Sequence, residues 1–267
     1  MDPQRPGARN MAVDAALLQL VDQSPPTLRL YGFAPACLSV GRFQPLSDVA
    51  TTAAAQRAVD VVRRPTGGKA VLHDHEVTYA MVLGRHQLQP FSKRGAFRVA
   101  ADLLLRVLEA LGVSASTGTG VDTPARSADP NCFLTTASFE IVASGRKLVG
   151  SAQTTTRRGS LQHGSLPLSG SYRSIDGLLI RPPSGEHSPA EAEPPTSVEE
   201  ETGRRWSFLA ARDALASRLT QGDVAEWVTG VRLGTLTADE ERAAARLEQE
   251  QFGNRAWTER SRQTVSG

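Results

Sequence analysis

The sequence predicts an α+β protein with a mixed, largely antiparallel sheet flanked by helices, and three observations predict it. Short runs of alternating apolar residues come in clusters, separated by turns rich in Gly and Pro, as hairpins require. Two segments, 11–23 and 95–111, repeat their apolar residues at helical spacing. Past a Pro- and Glu-rich stretch, 181–195, polar helical segments close the chain.

The elements follow in order. Asn10 reads as the N-cap of MAVDAALLQLVDQ, where Met11, Ala15 and Leu18 share a face with Leu17 and Val21 beside them, and Pro25-Pro26 stops the helix. Thr27 to Phe33 alternates, with Leu28 and Leu30 on one face, and reads as a strand. A second strand covers Cys37 to Arg42, inside which Cys37 is a small core residue. Ser47 or Asp48 caps an alanine-rich helix to Ala58. Val59 to Arg64, Ala70 to His73 and Val77 to Leu83 then read as an antiparallel meander, with a turn at Pro65-Thr66-Gly67-Gly68. Gly95 to Leu111 is the clearest helix. Phe97, Ala100, Ala101, Leu104, Leu108 and Leu111 line one face, Arg98, Asp102, Arg106 and Glu109 the other, and Gly112 is the C-cap. A loose polar stretch, 114–131, precedes strands at Phe139 to Ala143, Lys147 to Thr154 and from Leu161, with turns at Ser144-Gly145 and Arg157-Arg158-Gly159. Residues 1–180 form the main body, 181–195 a flexible linker, and 196–267 a helical segment that completes the domain, with helices near Ser197 to Gln221 and Thr237 to Phe252.

The bulk numbers exclude several classes. A length of 267 residues suits one or two domains, and a net charge of +2 gives no electrostatic footprint for nucleic acid. Two cysteines do not make a secreted disulfide framework and favour a reducing compartment. No apolar run approaches the roughly 20 residues of a spanning helix, and MDPQRPGARN lacks a signal-peptide core. The expectation is a cytoplasmic monomer that binds neither membrane nor nucleic acid.

The candidate chemistry centres on 131–164. The chain has 30 Lys+Arg but only three lysines, Lys69, Lys93 and Lys147, so a retained lysine calls for a reason beyond charge: a compact ammonium with three rotatable donors. Cys132 follows Asp129-Pro130-Asn131 in a polar loop that offers a structural cysteine little to pack against. It reads as a nucleophile or as an inert loop thiol, and Lys147, Arg63, Arg64 or His163 nearby would favour its thiolate. Arg63-Arg64-Pro65-Thr66-Gly67-Gly68-Lys69 reads either as a site for an anion or carbonyl or as a hairpin turn with solvated arginines; its spacing is not that of a Walker loop. His73 and His75 share a strand face but have no evident third ligand, so no metal is expected. His73 is either a hydrogen-bonding group that shapes the site or a plain polar strand end.

These residues carry a resemblance. Asn10-Met11-Ala12-Val13-Asp14 with Leu17-Leu18, Ser39 to Gln44, RRPTGGKAVLHDHEVTYA, GRKLVGSAQ and LQHGSL occur in the order seen in the lipoate–biotin protein ligase and octanoyltransferase superfamily, and LTADEERAAARLEQEQFGNRAWTER resembles its usual ending. The resemblance implies a fold like that of class II aminoacyl-tRNA synthetases and biotin ligases. Cys132-Phe133 before GRKLVGSAQ, and Lys69 where ligases prefer a third glycine, resemble the branch that passes octanoyl groups from octanoyl-acyl carrier protein to the glycine cleavage H protein or another lipoyl domain. That implies Cys132 as acyl carrier and Lys147 as the group that stabilises the acyl oxygen. It also implies a substrate site from Arg63, Arg64, Thr66, Gly67, Gly68, His73, Gly150, Ser151, Ala152 and His163, with no cofactor. The alternatives are an ATP-dependent lipoate ligase, an amidotransferase between carrier domains and a non-catalytic carrier-binding module. Two departures stand out: almost nothing precedes Asn10, where the family usually has a strand, and Ala15 stands where an acidic residue is common.

Overall fold

A computed structural model describes residues 1–118, 140–180, 194–221 and 230–260. Its strands are β1 (Gln4–Arg5), β2 (Thr27–Phe33), β3 (Cys37–Val40), β4 (Asp60–Arg63), β5 (Val71–His73), β6 (Glu76–Gly84), β7 (Ser116–Thr117), β8 (Ile141–Ala143), β9 (Arg146–Thr155) and β10 (Gly159–Pro167). Its α-helices are α1 (Gly7–Gln19), α2 (Thr51–Gln56), α3 (Lys93–Leu108), α4 (Val198–Thr202), α5 (Phe208–Thr220), α6 (Ala238–Leu247) and α7 (Arg255–Thr258).

Among the described residues the strands make a seven-stranded sheet, β1-β2-β6-β10-β9-β8-β7, and a three-stranded sheet, β4-β3-β5. Only β1 with β2 and β3 with β4 run parallel, so the expected mixed, largely antiparallel α+β architecture holds. The alternation along β6 places it at the centre. Val77, Tyr79, Met81 and Leu83 face a core shared with α3 and α5, while Ala80 and Val82 face one shared with α1. A strand buried on both faces needs apolar residues at successive positions, and TYAMVLG supplies them.

Several local expectations are corrected. Asn10 does not cap α1, which begins three residues earlier behind Pro6. It is fully buried instead, its Nδ2 donating to Gly32 O (2.8 Å) and Arg5 O (3.1 Å), because a short polar side chain can join helix to strand where an apolar one would leave carbonyls unpaired. A short strand does precede that helix: Gln4 and Arg5 pair with Gly32 and Phe33. The 59–83 segment is not a meander. β3 lies between β4 and β5, so the Pro65-to-Lys69 turn carries the chain past β3 within the small sheet, and only after His73 does it cross to β6 in the large one. Arg42 lies beyond β3, and the alanine-rich helix starts at Thr51 after a 3₁₀ turn, Leu46–Asp48. Pro195, the end of the expected linker, is buried and its carbonyl accepts from Tyr172 OH (2.6 Å). The linker's other residues up to 193, the start of the strand expected at Phe139, and Cys132 lie outside the described residues.

The C-terminal elements enter both cores. Phe208, Ala211 and Leu215 of α5 join the α3 side, and Ala244 of α6 with Phe252 joins the α1 side. Thr237 caps α6 through a reciprocal bond set with Glu240, and α6 runs on into a π-helical turn, Glu248–Phe252, that brings Phe252 edge-on to Trp257 at 5.8 Å. Truncating a buried Phe leaves a cavity as well as losing transfer energy. Phe252→Ala is therefore expected to cost about 3–5 kcal/mol in urea unfolding. An unchanged midpoint would show that this turn lies outside the cooperative core.

Candidate active site

One cavity lies between the two sheets and α1. Its floor is the face of the large sheet made by Thr78, Gly150, Ala152, His163 and Ser165, joined by Ser151 and Gly164; its far wall is Ser39, Val71 and His73 of the small sheet; Met11, Tyr31 and Arg64 close it. Strand register explains the floor. Ala152 lies opposite His163 and Gly150 opposite Ser165, so alternate residues of β9 and β10 share one face.

A hydrogen-bonded chain runs through the wall. His163 Nδ1 lies 3.0 Å from Asp14 Oδ2, and its Nε2 lies 2.7 Å from Thr66 Oγ1. Arg64 Nε donates to Thr66 Oγ1 (3.1 Å) and its Nη1 to Ser39 O (3.0 Å) and Oγ (3.2 Å). Ser39 Oγ lies 2.7 Å from His73 Nε2, and His73 Nδ1 lies 2.8 Å from Glu76 Oε1. Thr78 and Ser165 hydroxyls donate to the Glu76 carboxylate. The carboxylates fix the tautomers. Each Nδ1 faces a carboxylate oxygen that can only accept, so the ring proton sits on Nδ1 and each Nε2 accepts from the hydroxyl of Thr66 or Ser39.

Burial and partners set the charges. Burial pushes the Asp14 carboxyl up, but Arg29 (Nη1, 2.7 Å), His163 and Tyr31 OH (2.7 Å) outweigh it and hold the acid below its ordinary range. Burial pushes His163 down, and Arg64 and His73 nearby add to that against the pull of Asp14, so its imidazole stays neutral.

The structure places the sequence-predicted site residues unequally. Arg64, His73, Gly150, Ser151, Ala152 and His163 line the cavity, and Thr66 stands directly behind it, bonded to both Arg64 and His163. Gly67 and Gly68 belong to the turn that Arg64 organises: Arg64 Nη2 donates to Gly67 O (2.8 Å) and Lys69 O (2.6 Å). Gly68 has φ 88°, and its carbonyl would lie 1.8 Å from a Cβ on Gly41, so side chains are excluded at both positions. Arg63 points away from the cavity. Fully buried, it donates to Gly41 O (2.7 Å), Gln44 O (2.6 Å) and Thr258 O (2.8 Å), while Trp257 Nε1 donates back to Arg63 O (2.9 Å). Lys147 is buried but does not line the cavity, and its Nζ donates to Glu140 Oε1 (2.7 Å). Among the described residues no cluster of His, Cys, Asp and Glu fits a metal, and no helix is long and apolar enough to cross a membrane.

Sequence reasoning passed over Asp14, Glu76, Ser39 and Ser165 as site residues. Asp14 did carry a signal: it is three residues from Met11 on an otherwise apolar helical face, where a carboxylate needs partners. Ser39 and Ser165 carried no chemical signal of their own, since serine on a strand is unremarkable, although both lie in motifs that carry the resemblance.

A family model described as the lipoyl protein ligase A/B catalytic domain matches residues 6–220. The chain belongs to that family. Among curated relatives, octanoyltransferase LipM of Symbiobacterium thermophilum is 36% identical, covering 96% of this chain and 95% of its own length. Its counterpart in Kyrpidia tusciae is also 36% identical, over 90% of each chain. Among solved structures, lipoate-protein ligase A bound with ATP aligns with a TM-score of 0.74 at 20% identity, covering 97% of this chain and 99% of the other. The bipartite lipoate protein ligase of Thermoplasma acidophilum aligns with a TM-score of 0.73 at 20% identity, over 99% of each. The α+β fold expected from the sequence is thus the fold of lipoate protein ligases.

In this lipoyl ligase-family chain the buried pair sets a pH response. The unfolded chain binds a proton on histidine near pH 6.5 that folded His163 refuses, so this contribution is full above about pH 6.5 and falls as the pH drops below it. The depressed Asp14 acid behaves likewise at lower pH: its contribution is present above the unfolded acid's value and is lost as the pH falls through the folded one. Urea unfolding is expected to weaken from pH 7 to 5, with His163 adding up to about 1.4 kcal/mol per pH unit. An identical slope in His163→Gln would sink the assignment.

Proposed function

We propose that the chain is an octanoyltransferase. It takes the octanoyl group of octanoyl-acyl carrier protein onto Cys132 and passes it to the lysine of a lipoyl-type carrier protein such as the glycine cleavage H protein. The observation that carries this reading is the likeness to an octanoyltransferase over 96% of the chain. The Cys132-Phe133 pair, which the resemblance ties to the transferase branch, supports it.

The cavity suits an acyl tail. Its polar side chains are turned onto one another, so the surface left facing the space is mainly carbon, and a polar group already satisfied does not compete for water when that surface is covered. Gly150 and Ala152 keep the sheet face flat under such a chain.

The chemistry is two thioester-level steps. In the first, the Cys132 thiolate attacks the donor carbonyl; the new S–C bond forms, the old one breaks, and the departing thiolate takes up a proton. In the second, the acceptor lysine's amine attacks the Cys132 thioester, the C–N bond forms, Cys132 leaves as thiolate and the nitrogen loses a proton. Lys147 would stabilise the oxyanion of each tetrahedral intermediate. Glu140 accepts from its ammonium and holds the buried side chain in place. Arg64 and the two carboxylate-held imidazoles hold the substrate wall in shape, and Arg63 holds the adjoining loop. The donor is already activated, so ATP has no step to drive.

Intact-mass spectrometry decides the matter. With octanoyl-acyl carrier protein and no ATP, the wild type is expected to gain one octanoyl group that hydroxylamine removes, and Cys132→Ser to gain none. Acylation of the acceptor by either protein from octanoate and ATP, with no adduct, would establish the ATP-dependent ligase instead.

A further inference from the structure

Resting on the transferase reading, we propose that Met11 sets the length of acyl chain the cavity accepts. The substrate class is a medium-chain acyl thioester, and Met11 is its length gauge.

Most of the wall cannot yield. The imidazoles of His73 and His163, the guanidinium of Arg64 and the hydroxyls of Ser39, Thr78 and Ser165 are tied into one hydrogen-bonded chain. Moving any of them breaks a buried bond. Tyr31 is tied through its OH to Asp14, and Ser151 through its Oγ to Tyr79 OH (2.7 Å). The floor is backbone-paired sheet, with Thr78, Ser165 and Gly150 in register across β6, β10 and β9.

Three lining side chains remain without polar ties, Ala152, Val71 and Met11, and the single methyl of Ala152 has no rotamer to change. Val71 is β-branched and sits in β5, paired opposite Ser39, so its rotamer is restricted. Met11 is unbranched, with several rotatable bonds and no directional bond to satisfy. It is also where the cavity meets the core. It is 2% exposed and belongs to the apolar cluster of Tyr31, Phe33, Val62 and Leu161 behind the cavity wall. Shortening Met11 therefore deepens the cavity into apolar surroundings, and a bulkier side chain shallows it. The neighbouring Asp14, one turn along the same helix, anchors that helix to His163 on the floor, so the gauge stands at a fixed place against the floor.

The test is the rate at which purified full-length protein acquires an acyl group on Cys132 from hexanoyl-, octanoyl-, decanoyl- and dodecanoyl-acyl carrier protein, read by intact mass. One methylene in an apolar pocket is worth about tenfold or more in discrimination. Met11→Ala is expected to raise the decanoyl-to-octanoyl ratio by about tenfold, and Met11→Phe to lower the octanoyl-to-hexanoyl ratio by a similar factor. If Met11→Ala does not fold, as judged by its thermal melt, Met11→Leu and Met11→Phe decide. Unshifted ratios in the folded variants, beside a wild type that loads octanoyl groups, overturn the Met11 proposal alone. A folded wild type that loads no acyl chain of any length overturns the transferase reading and this proposal with it.

Discussion

The buried guanidinium of Arg64 is the interaction on which the site depends. All three of its nitrogens donate: Nε to Thr66, Nη1 to Ser39, Nη2 to the carbonyls of Gly67 and Lys69. A buried cation is tolerable only where every donor is met and opposite charge lies close. Here the opposite charge arrives from two sides, each time through a hydroxyl and an imidazole: Thr66 and His163 lead to Asp14, Ser39 and His73 to Glu76. The first path ends on α1 and the large sheet; the second starts on the small sheet and ends at the start of β6. One side chain thus registers both sheets and the helix against each other. Each link is buried, so losing one strands its neighbours, and the assembly behaves as a unit rather than as separate bonds.

The two adjacent arginines divide the work because of a strand's pleat. Successive side chains leave a strand on opposite sides. Arg64 therefore turns into the cavity wall while Arg63, one residue earlier, turns toward the C-terminal helices, where it gathers the carbonyls of Gly41, Gln44 and Thr258. Trp257 closes the same contact from the other side through Arg63 O. The C-terminal segment is coupled in this way to the loop after β3, whose Gly41 touches the carbonyl of Gly68 in the turn that Arg64 holds. A residue pair that reads in sequence as one basic patch is two devices facing different parts of the molecule.

How much of this was legible follows from the range of each interaction. The α3 helix was readable because its burial pattern is set by local periodicity; the expected start at Gly95 falls two residues inside the helix, which Ser92 caps, and Gly112 closes the 3₁₀ turn that follows it. The turn at Ser144-Gly145 was readable for the same reason. The position of β3 between β4 and β5 was not, since strand order across a parallel pair depends on contacts far apart in sequence. At the site, motif order pointed to Arg64, Thr66, His73 and His163, but not to their carboxylate partners. Asp14 lies 149 positions from His163, and only folding reveals that a helical aspartate meets a strand histidine. Asn10 misled because the preference of asparagine for a helix start competes with its ability to bridge buried carbonyls, and tertiary burial won.

A polar wall that encloses an apolar space is the feature that makes acyl chemistry reasonable here. Serines, threonines and histidines around a cavity ordinarily hold water, which would hydrolyse a thioester and solvate a tail poorly. Here their donors and acceptors are consumed by one another, so the wall presents carbon and has little use for water. Such a wall is rigid for the same reason that it is dry: the bonds that satisfy it also fix its rotamers. Rigidity defines the width of the space, and the few side chains left outside the network define what can change. The buried Lys147–Glu140 pair does not line this wall and lies three residues along β9 from Gly150. A dry, inflexible slot of carbon is what the medium-chain tail of a thioester requires.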